Sequence, residues 1–152
     1  MRTTNFDNHH QRQLLEIYLN SIIVATKPDI EIPEEIEHPS VAVHPVNDID
    51  HANLVSKLQE HVCRESYCIK SGSCRFGYPK HSTESGKFER IENDWVFVPA
   101  RNHRRIVPYN IDILRTWRSN MDITVVSSTT ILMNYVTKYV TKSNQTDLMA
   151  TM

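Results

Sequence analysis

Glycine is rare in this chain, with only three among 152 residues. A glycine-rich phosphate loop needs several of them, and the sequence GxxxxGK[ST] does not occur, which excludes ATPase chemistry of that type. No apolar run is long enough to span a membrane, and the N-terminus lacks the pattern of a signal peptide. We therefore expect an intracellular protein that has no contact with a membrane.

Cysteine is also sparse, with three in the chain, and the paired C-x2-C spacing of standard zinc fingers is absent. Intracellular cysteines are reduced thiols or metal ligands rather than disulfides. Here His61, Cys63, Cys68 and Cys74 follow one another closely, and imidazole and thiolate are the usual ligands of zinc. Two interpretations remain open: a closed structural zinc site with four protein ligands, or a tight loop in which reduced cysteines pack as small apolar residues.

The charges nearly cancel, since the net charge is -1, but they are distributed unevenly. Acidic residues concentrate between residues 29 and 37, and basic residues concentrate between 101 and 118. The basic stretch contains Arg101, Arg104, Arg105, Arg115 and Arg118. Arginines of this kind contact the phosphates of DNA, although a solvated basic loop explains the same pattern.

The spacing of apolar residues predicts an α+β fold within one domain or a piece of one. Helices are predicted over residues 10–26, 51–60 and 111–118, with Asp48 or Asp50 as the N-cap of the second. A hairpin is predicted over residues 88–98, and a strand at residues 123, 125 and 126. Four prolines make residues 28–50 an irregular linker, and residues 61–79 form a compact turn region that contains the cysteines.

A closing helix, capped by Ser127 or Ser128, is predicted to run through residue 142. Tyr135 and Tyr139 are four residues apart, so a helix presents both phenols on one face. Lys138 and Lys142 flank them. Two hydroxyls beside cations suit work on a phosphodiester, because cations offset charge on phosphate and a tyrosine can form a covalent phosphate intermediate. The alternative is a core helix with half-buried aromatics.

Several short sequence motifs occur in a characteristic order in the second half of the chain. They are Cys74-Arg75-Phe76-Gly77-Tyr78-Pro79, Arg101-Asn102-His103, Tyr109-Asn110, Trp117-Arg118-Ser119-Asn120-Met121-Asp122-Ile123 and Tyr135-x-x-Lys138-Tyr139-x-x-Lys142. In this order they resemble the replication-initiator (Rep) portion of Helitron rolling-circle transposases, a region also called Helitron-helicase-like. With Glu37-His38-Pro39-Ser40 and the segment from Leu54 to His61, the resemblance covers residues 37–143.

The resemblance implies a fold and a mechanism. The Rep fold is an antiparallel sheet flanked by helices, and this chain is expected to contain part of it. In the family two histidines around a hydrophobic residue (the HUH motif) hold Mg²⁺ or Mn²⁺, which polarises the scissile phosphate of single-stranded DNA. A tyrosine equivalent to Tyr135 or Tyr139 then attacks phosphorus, leaving a 5′-phosphotyrosine and a free 3′ hydroxyl. The family also implies a nuclear location and transposable-element origin.

The chain departs from the family in one decisive respect, because no His-hydrophobe-His occurs in it. Smaller departures are His103 where the family tends to have aspartate, and Ile111 where it tends to have proline. We therefore expect a fragment without the upstream HUH segment and the downstream helicase portion, and no nicking by this chain alone. An inactive DNA-binding remnant and a small zinc-stabilised structural domain are the alternatives.

The predicted organisation has three parts. Residues 1–36 form an N-terminal helix and an acidic, proline-rich linker. Residues 37–143 form the Rep-like segment, which includes the Cys/His turn at 61–79 and the tyrosine helix at 131–142. Residues 144–152 form a polar tail.

Overall fold

The computed structural model describes residues 6–39 and 47–143, without the side chains of residue 70 and residues 138–143. Within these residues it has four α-helices, a π-helical turn and two antiparallel hairpins. In chain order they are α1 (His9–Ile22), α2 (Asp48–Leu54), the π-turn (Val55–Gln59), β1 (Ile69–Lys70), β2 (Ser73–Cys74), β3 (Lys87–Ile91), β4 (Asp94–Val98), α3 (Ile111–Trp117) and α4 (Thr129–Ser143). The predicted α+β class is confirmed. Among the described helices, none is long and apolar enough to cross a membrane.

The first helix forms where the apolar spacing predicted it, but it ends at Ile22 rather than at residue 26. The Asn8 side chain caps its start by accepting a hydrogen bond from the Gln11 amide at 3.1 Å. Beyond its end the chain turns extended, because Val24 exchanges backbone hydrogen bonds of 3.0 and 2.8 Å with Tyr109. Pairing with a distant segment therefore ends α1 before the first proline is reached.

Two apolar clusters form the interior of the described chain. The first consists of Ala25, Leu54, Val55, Ile106, Tyr109 and Leu114, and the second of Leu19, Ile23, Phe88 and Phe97. The segment from Leu19 to Ala25 contributes to both. This segment therefore joins the β3–β4 hairpin to the body formed by α2 and α3.

The second helix begins earlier than predicted, and its predicted N-cap is wrong. The cap is Asn47, whose side chain accepts from the Asp50 amide at 2.8 Å. Asp50 is instead only 1% exposed, because its carboxylate is paired inside the protein. After Leu54 the helix widens into the π-turn, which buries Gln59 and delivers the chain to an extended pairing between Glu60 and Ile106.

The predicted hairpin is confirmed, with Phe88 opposite Phe97 in the β3–β4 register. The strand predicted at residues 123, 125 and 126 is wrong. Ile123 and Val125 pack against the second apolar cluster, but their segment has no strand assignment. The alternation of apolar residues here reflects packing on one side, and the Ile123 amide donates to the Pro108 carbonyl at 3.3 Å without a strand forming.

The closing helix is confirmed, and Ser128 is its predicted cap, since the Ser128 hydroxyl accepts from the Ile131 amide at 3.2 Å. Ser127 donates instead to the carbonyl oxygen of Trp95. Because Trp95 lies in β4, the Ser127 hydrogen bond ties the start of α4 to the β3–β4 hairpin.

Candidate metal centre and tyrosine helix

A tight turn joins the first two cysteines of the group. The carbonyl oxygen of Arg64 accepts from the amides of Tyr67 and Cys68 at 3.1 and 2.9 Å. The Arg64 amide in turn donates to the Cys68 sulfur at 3.1 Å. Cys68 is fully buried, whereas Cys63 is partly exposed at the other end of the turn. The turn therefore directs the Arg64 N–H at a buried sulfur and fixes the position of Cys68.

The third cysteine is delivered by the β1–β2 hairpin, in which Ile69 pairs with Cys74. Its two-residue loop has positive φ at both positions, 51° at Ser71 and 78° at Gly72. A loop of this kind matches the twist of the flanking strands and permits the tightest reversal of the chain. A hydrogen bond of 2.7 Å from the Arg75 amide to the Cys68 carbonyl keeps the hairpin against the turn.

The fourth member, His61, comes from the segment that follows the π-turn. Its amide donates to the Arg105 carbonyl at 2.8 Å, and its ring stacks on Tyr78 with centroids 4.4 Å apart. These contacts aim the Nε2 atom at the Cys74 sulfur, 3.4 Å away. The ring therefore has a fixed direction before any ion is bound.

The candidate ligand atoms of His61, Cys63, Cys68 and Cys74 all lie within 4.8 Å of one another. Tetrahedral zinc with Zn–S bonds of about 2.3 Å places its ligands about 3.8 Å apart, so the spacing of this group is compatible with the ion. The structure thus brings together the four side chains that the sequence singled out, and they can hold a metal ion.

The pKa values of these groups shift in different directions: the shifts of Cys74 and His61 favour metal binding, and that of Cys63 opposes it. Burial raises the pKa of Cys74, but N–H donors of Tyr78 and Phe76 and the neighbouring thiols outweigh it, so the pKa is lowered. A hydrogen bond from Arg105 lowers the pKa of Cys63, but burial and the other thiols leave it raised. Burial and then Arg105 lower the pKa of His61, which favours its neutral, ligating form.

The five arginines of the basic stretch do not share one surface. Arg101 is 5% exposed and donates to the Ile106 carbonyl inside the protein. Arg105 donates to the Cys63 sulfur at 3.3 Å, beside the metal centre. Arg104 is exposed next to it. The remaining two arginines contact α2 instead.

Those two arginines are engaged with acidic residues of α2. Arg115 lies 3.6 Å from Asp48, and Arg118 makes two hydrogen bonds of 2.8 and 2.9 Å with Asp50. The pKa of Arg118 is raised by that pairing. DNA contact by the five arginines stays a prediction, and the structure gives Arg101 and Arg118 internal partners.

The tyrosine helix is continuous from Thr129 to Ser143, so positions 135 and 139 lie one turn apart on it. The Tyr135 side chain is 42% exposed. Its neighbours Leu132 and Val136 are each 45% exposed. The side chains of Tyr139, Lys138 and Lys142, which the sequence singled out, lie outside the described side chains.

The sequence did not reveal that two asparagines in the Helitron-like motifs, Asn102 and Asn110, hold the backbone in place. Asn102 holds the backbone of Lys27, accepting from its amide at 2.7 Å and donating to its carbonyl at 2.8 Å. Asn110 donates to the Ile22 carbonyl at 2.8 Å and caps α3 through the Ile113 amide at 2.9 Å. An asparagine just before a helical pattern was the available signal for the second role.

Comparison with protein-family models, with curated proteins and with solved structures found no match to this chain.

Proposed function

We propose that this chain is a zinc-stabilised part of a Helitron-like Rep region that acts on single-stranded DNA through the tyrosines of α4. The observation that carries the proposal is the exposure of Tyr135, at 42%, on a helix that also contains Tyr139. A phenol reached by solvent can be reached by a DNA strand. The order of the Helitron-like motifs supports the same assignment.

The proposed reaction is a transesterification at phosphorus. The hydroxyl of Tyr135 or Tyr139 gives up its proton as its oxygen bonds to the phosphorus, and the bond from phosphorus to the 3′ oxygen breaks. The 3′ oxygen takes up a proton as it leaves, and the tyrosine keeps the 5′ phosphate. Attack by the 3′ hydroxyl of another strand reverses these steps, so rejoining needs no ATP.

An unperturbed tyrosine has a pKa near 10, so the attack needs help at neutral pH. In the family a divalent metal held by two histidines supplies it, and this sequence has no such pair. The Cys/His group does not replace it, because four protein ligands leave no open position on zinc. We therefore propose that Mg²⁺ or Mn²⁺ is bound by a segment outside these 152 residues.

The test uses single-stranded DNA labelled on the 3′ side of the cut. The protein is mixed with this DNA, Mn²⁺ or Mg²⁺, and a polypeptide that contains the HUH segment of a Helitron transposase. We expect a labelled covalent adduct that Tyr135→Phe together with Tyr139→Phe abolishes. Tyr18→Phe is the matched control, since Tyr18 is an exposed tyrosine on α1. Absence of an adduct with either metal rejects the proposal.

The geometry of the Cys/His group favours a second candidate, a small zinc-stabilised structural domain. This candidate predicts one equivalent of zinc in the purified protein, but neither covalent adduct nor DNA binding. An inactive DNA-binding remnant predicts binding to single strands that survives both tyrosine substitutions. Metal analysis, adduct formation and DNA binding together therefore separate the three possibilities.

A further inference from the structure

The surface around the metal centre combines aromatic rings with cations. We define the knuckle surface by six residues: Arg64, Tyr67, Arg75, Phe76, Lys80 and Arg104. The Arg75 guanidinium lies 4.6 Å from the Tyr67 ring centroid and 4.7 Å from that of Phe76. The two rings are themselves 5.8 Å apart. Arg75 therefore ties both aromatics into one patch.

The patch continues along the chain of ring contacts. Phe76 meets the His61 ring edge-on at 5.7 Å, and His61 stacks on Tyr78. The Lys80 ammonium lies 5.4 Å from the Tyr78 ring centroid. The Lys80 amide donates to the Arg104 carbonyl at 2.8 Å, and the Arg104 side chain donates to the Lys80 carbonyl at 3.1 Å. Cations and rings thus alternate from Arg75 to Arg104, across the face of the metal centre.

The charge of this region has one dominant sign. Residues 61–80 contain Arg64, Lys70, Arg75 and Lys80 against the single acidic residue Glu65. Arg64, Arg75, Lys80 and Arg104 are all exposed, and Tyr67 is 49% exposed. In a chain whose net charge is -1, this concentration of cations selects for a polyanion.

We infer that the knuckle surface binds single-stranded nucleic acid, with bases stacked on Tyr67 and the phosphate backbone held by Arg75 and its neighbouring cations. Every base has a π-face, so stacking on exposed aromatic rings takes single strands of any sequence. A duplex hides those faces and offers only its phosphates. The inference deepens the proposed function, on which the choice of DNA over RNA rests, but its contacts do not involve α4.

The metal centre gives this surface its rigidity. Tyr67 belongs to the turn between Cys63 and Cys68, and Arg75 directly follows Cys74. An ion bound by the three thiols would fix both residues relative to each other, which lowers the entropy lost when a strand binds.

The test measures fluorescence anisotropy of a labelled oligothymidylate with the zinc-loaded full chain. Tyr67→Ala is expected to weaken binding about fivefold or more, which is the low end of the range for loss of one stacked base. Tyr67→Phe keeps the ring and is expected to bind like the parent. Arg75→Ala is expected to weaken binding and to reduce the slope of log K against log salt by about 0.7.

Matched controls come from elsewhere on the surface. Arg90→Ala removes an exposed arginine of β3, and Tyr18→Ala removes an exposed tyrosine of α1. Both are expected to bind like the parent. Zinc content is measured on every variant, so that a collapsed metal centre is separated from a lost contact; Arg75→Lys, which keeps a cation, provides a second check.

The results distinguish this inference from the proposed function. Unchanged binding in Tyr67→Ala and Arg75→Ala with zinc retained, or a duplex bound as tightly as the single strand, overturns the inference even if the tyrosine adduct forms. Weakened binding in those variants supports the inference even if no adduct is ever seen. Binding that falls equally in Arg90→Ala also overturns it, because the attraction is then a general effect of charge.

Discussion

Arg118 shows how much one residue can contribute to holding two helices together. It follows α3 in a left-handed conformation with φ of 51°, and its guanidinium makes two hydrogen bonds with Asp50 of α2. Asp50 is 1% exposed, so water cannot solvate its carboxylate in the folded protein. The pair therefore fixes α2 against α3, because the helices cannot separate here without leaving the Asp50 carboxylate unpaired.

The Arg118–Asp50 pair predicts an asymmetric mutational response. Arg118→Ala leaves a buried carboxylate without its partner, which costs about 3–5 kcal/mol in the free energy of unfolding. Arg118→Lys keeps the charge but loses the forked geometry, and is expected to cost less. Urea unfolding measures both. Equal stability of Arg118→Ala and the parent would contradict a role for this pair.

His51 is expected to make stability depend on pH. It is 8% exposed, and burial, followed by the charge of Arg115, lowers its pKa in the folded protein. The unfolded chain then binds the proton more readily below its ordinary pKa of about 6.5. Stability therefore rises with pH between the lowered value and about 6.5, and is lost as the pH falls through that window.

The measurement compares thermal unfolding of the parent and His51→Gln between pH 5 and 7 with excess zinc. We expect a flatter pH dependence in the variant. His81→Gln, which alters an exposed histidine, is the control and is expected to keep the slope of the parent. A parent-like slope in His51→Gln would show that another group is responsible.

At the scale of elements, two polar side chains of α1 contact the β3–β4 hairpin: Glu16 accepts from the Phe88 amide at 2.7 Å, and Asn20 bonds to Gly86 just before β3. The Asn20 side chain accepts from the Gly86 amide and donates to the Gly86 carbonyl, both at 2.7 Å. A Cβ at Gly86 would lie 2.6 Å from both the Asn20 oxygen and the Phe97 ring. Glycine is needed here for a close approach rather than for its backbone conformation.

Gly86→Ala is therefore expected to destabilise the protein by about 1–3 kcal/mol, the usual cost of forcing an extra carbon into a packed site. Ser85→Ala is the control, since Ser85 is exposed beside it. Chemical unfolding followed by tryptophan fluorescence reports on the hairpin through Trp95. Equal stability of both variants would mean that Asn20 and Phe97 can move away from residue 86 without cost.

The sequence predicted elements well where local periodicity decides them and poorly where partners decide them. Helix α1 and the β3–β4 hairpin follow from spacing alone. The end of α1 depends on Tyr109, which lies far along the chain, and no local pattern contains that information. The segment at Ile123 and Val125 has the alternation of a strand, but the Ile123 amide bonds to the Pro108 carbonyl at 3.3 Å without a strand forming there.

The same distinction holds within the site. Ligand chemistry identified all four members of the Cys/His group, because few other roles suit three cysteines and a histidine so close in sequence. The partners of Arg101 and Arg118 could not be predicted, since a basic residue has the same local signature whether it faces phosphate or a buried carboxylate.

At the scale of the molecule, the Cys/His group, which can hold a metal ion, lies between the first apolar cluster and the β1–β2 hairpin. Glu60 pairs with Ile106, a buried member of that cluster, and His61 follows directly. Loss of the ion should therefore loosen the turn region and lower overall stability. With free zinc at a thousand times its Kd, bound zinc contributes about 4 kcal/mol.

We expect a chelator such as EDTA to lower the melting temperature and to remove about one equivalent of zinc, and added zinc to restore both. Cys68→Ser should be insensitive to either treatment, whereas Ser66→Ala, an exposed position in the same turn, should behave like the parent. Scanning calorimetry with metal analysis checks this. A chelator that strips zinc without shifting the melting temperature would contradict the structural role.

Exposed apolar side chains predict association between copies of the chain. On α1, Leu14, Ile17 and Tyr18 are 55%, 71% and 59% exposed and share one face. Apolar patches of this kind favour association in water. Ile17→Lys should shift a concentration series in sedimentation velocity toward smaller species, with unchanged stability. A parent that sediments as a monomer at all concentrations would contradict this.

The π-turn has a genetic consequence. A π-turn spans one more residue per hydrogen-bonded step than an α-helix, and Val55–Gln59 is followed almost at once by His61. Removing a single codon from that stretch would take out the extra residue and let it wind as an ordinary helix, with the chain after it kept in place. Such an allele would retain every cysteine and histidine, and its product is expected to bring them together as the parent does.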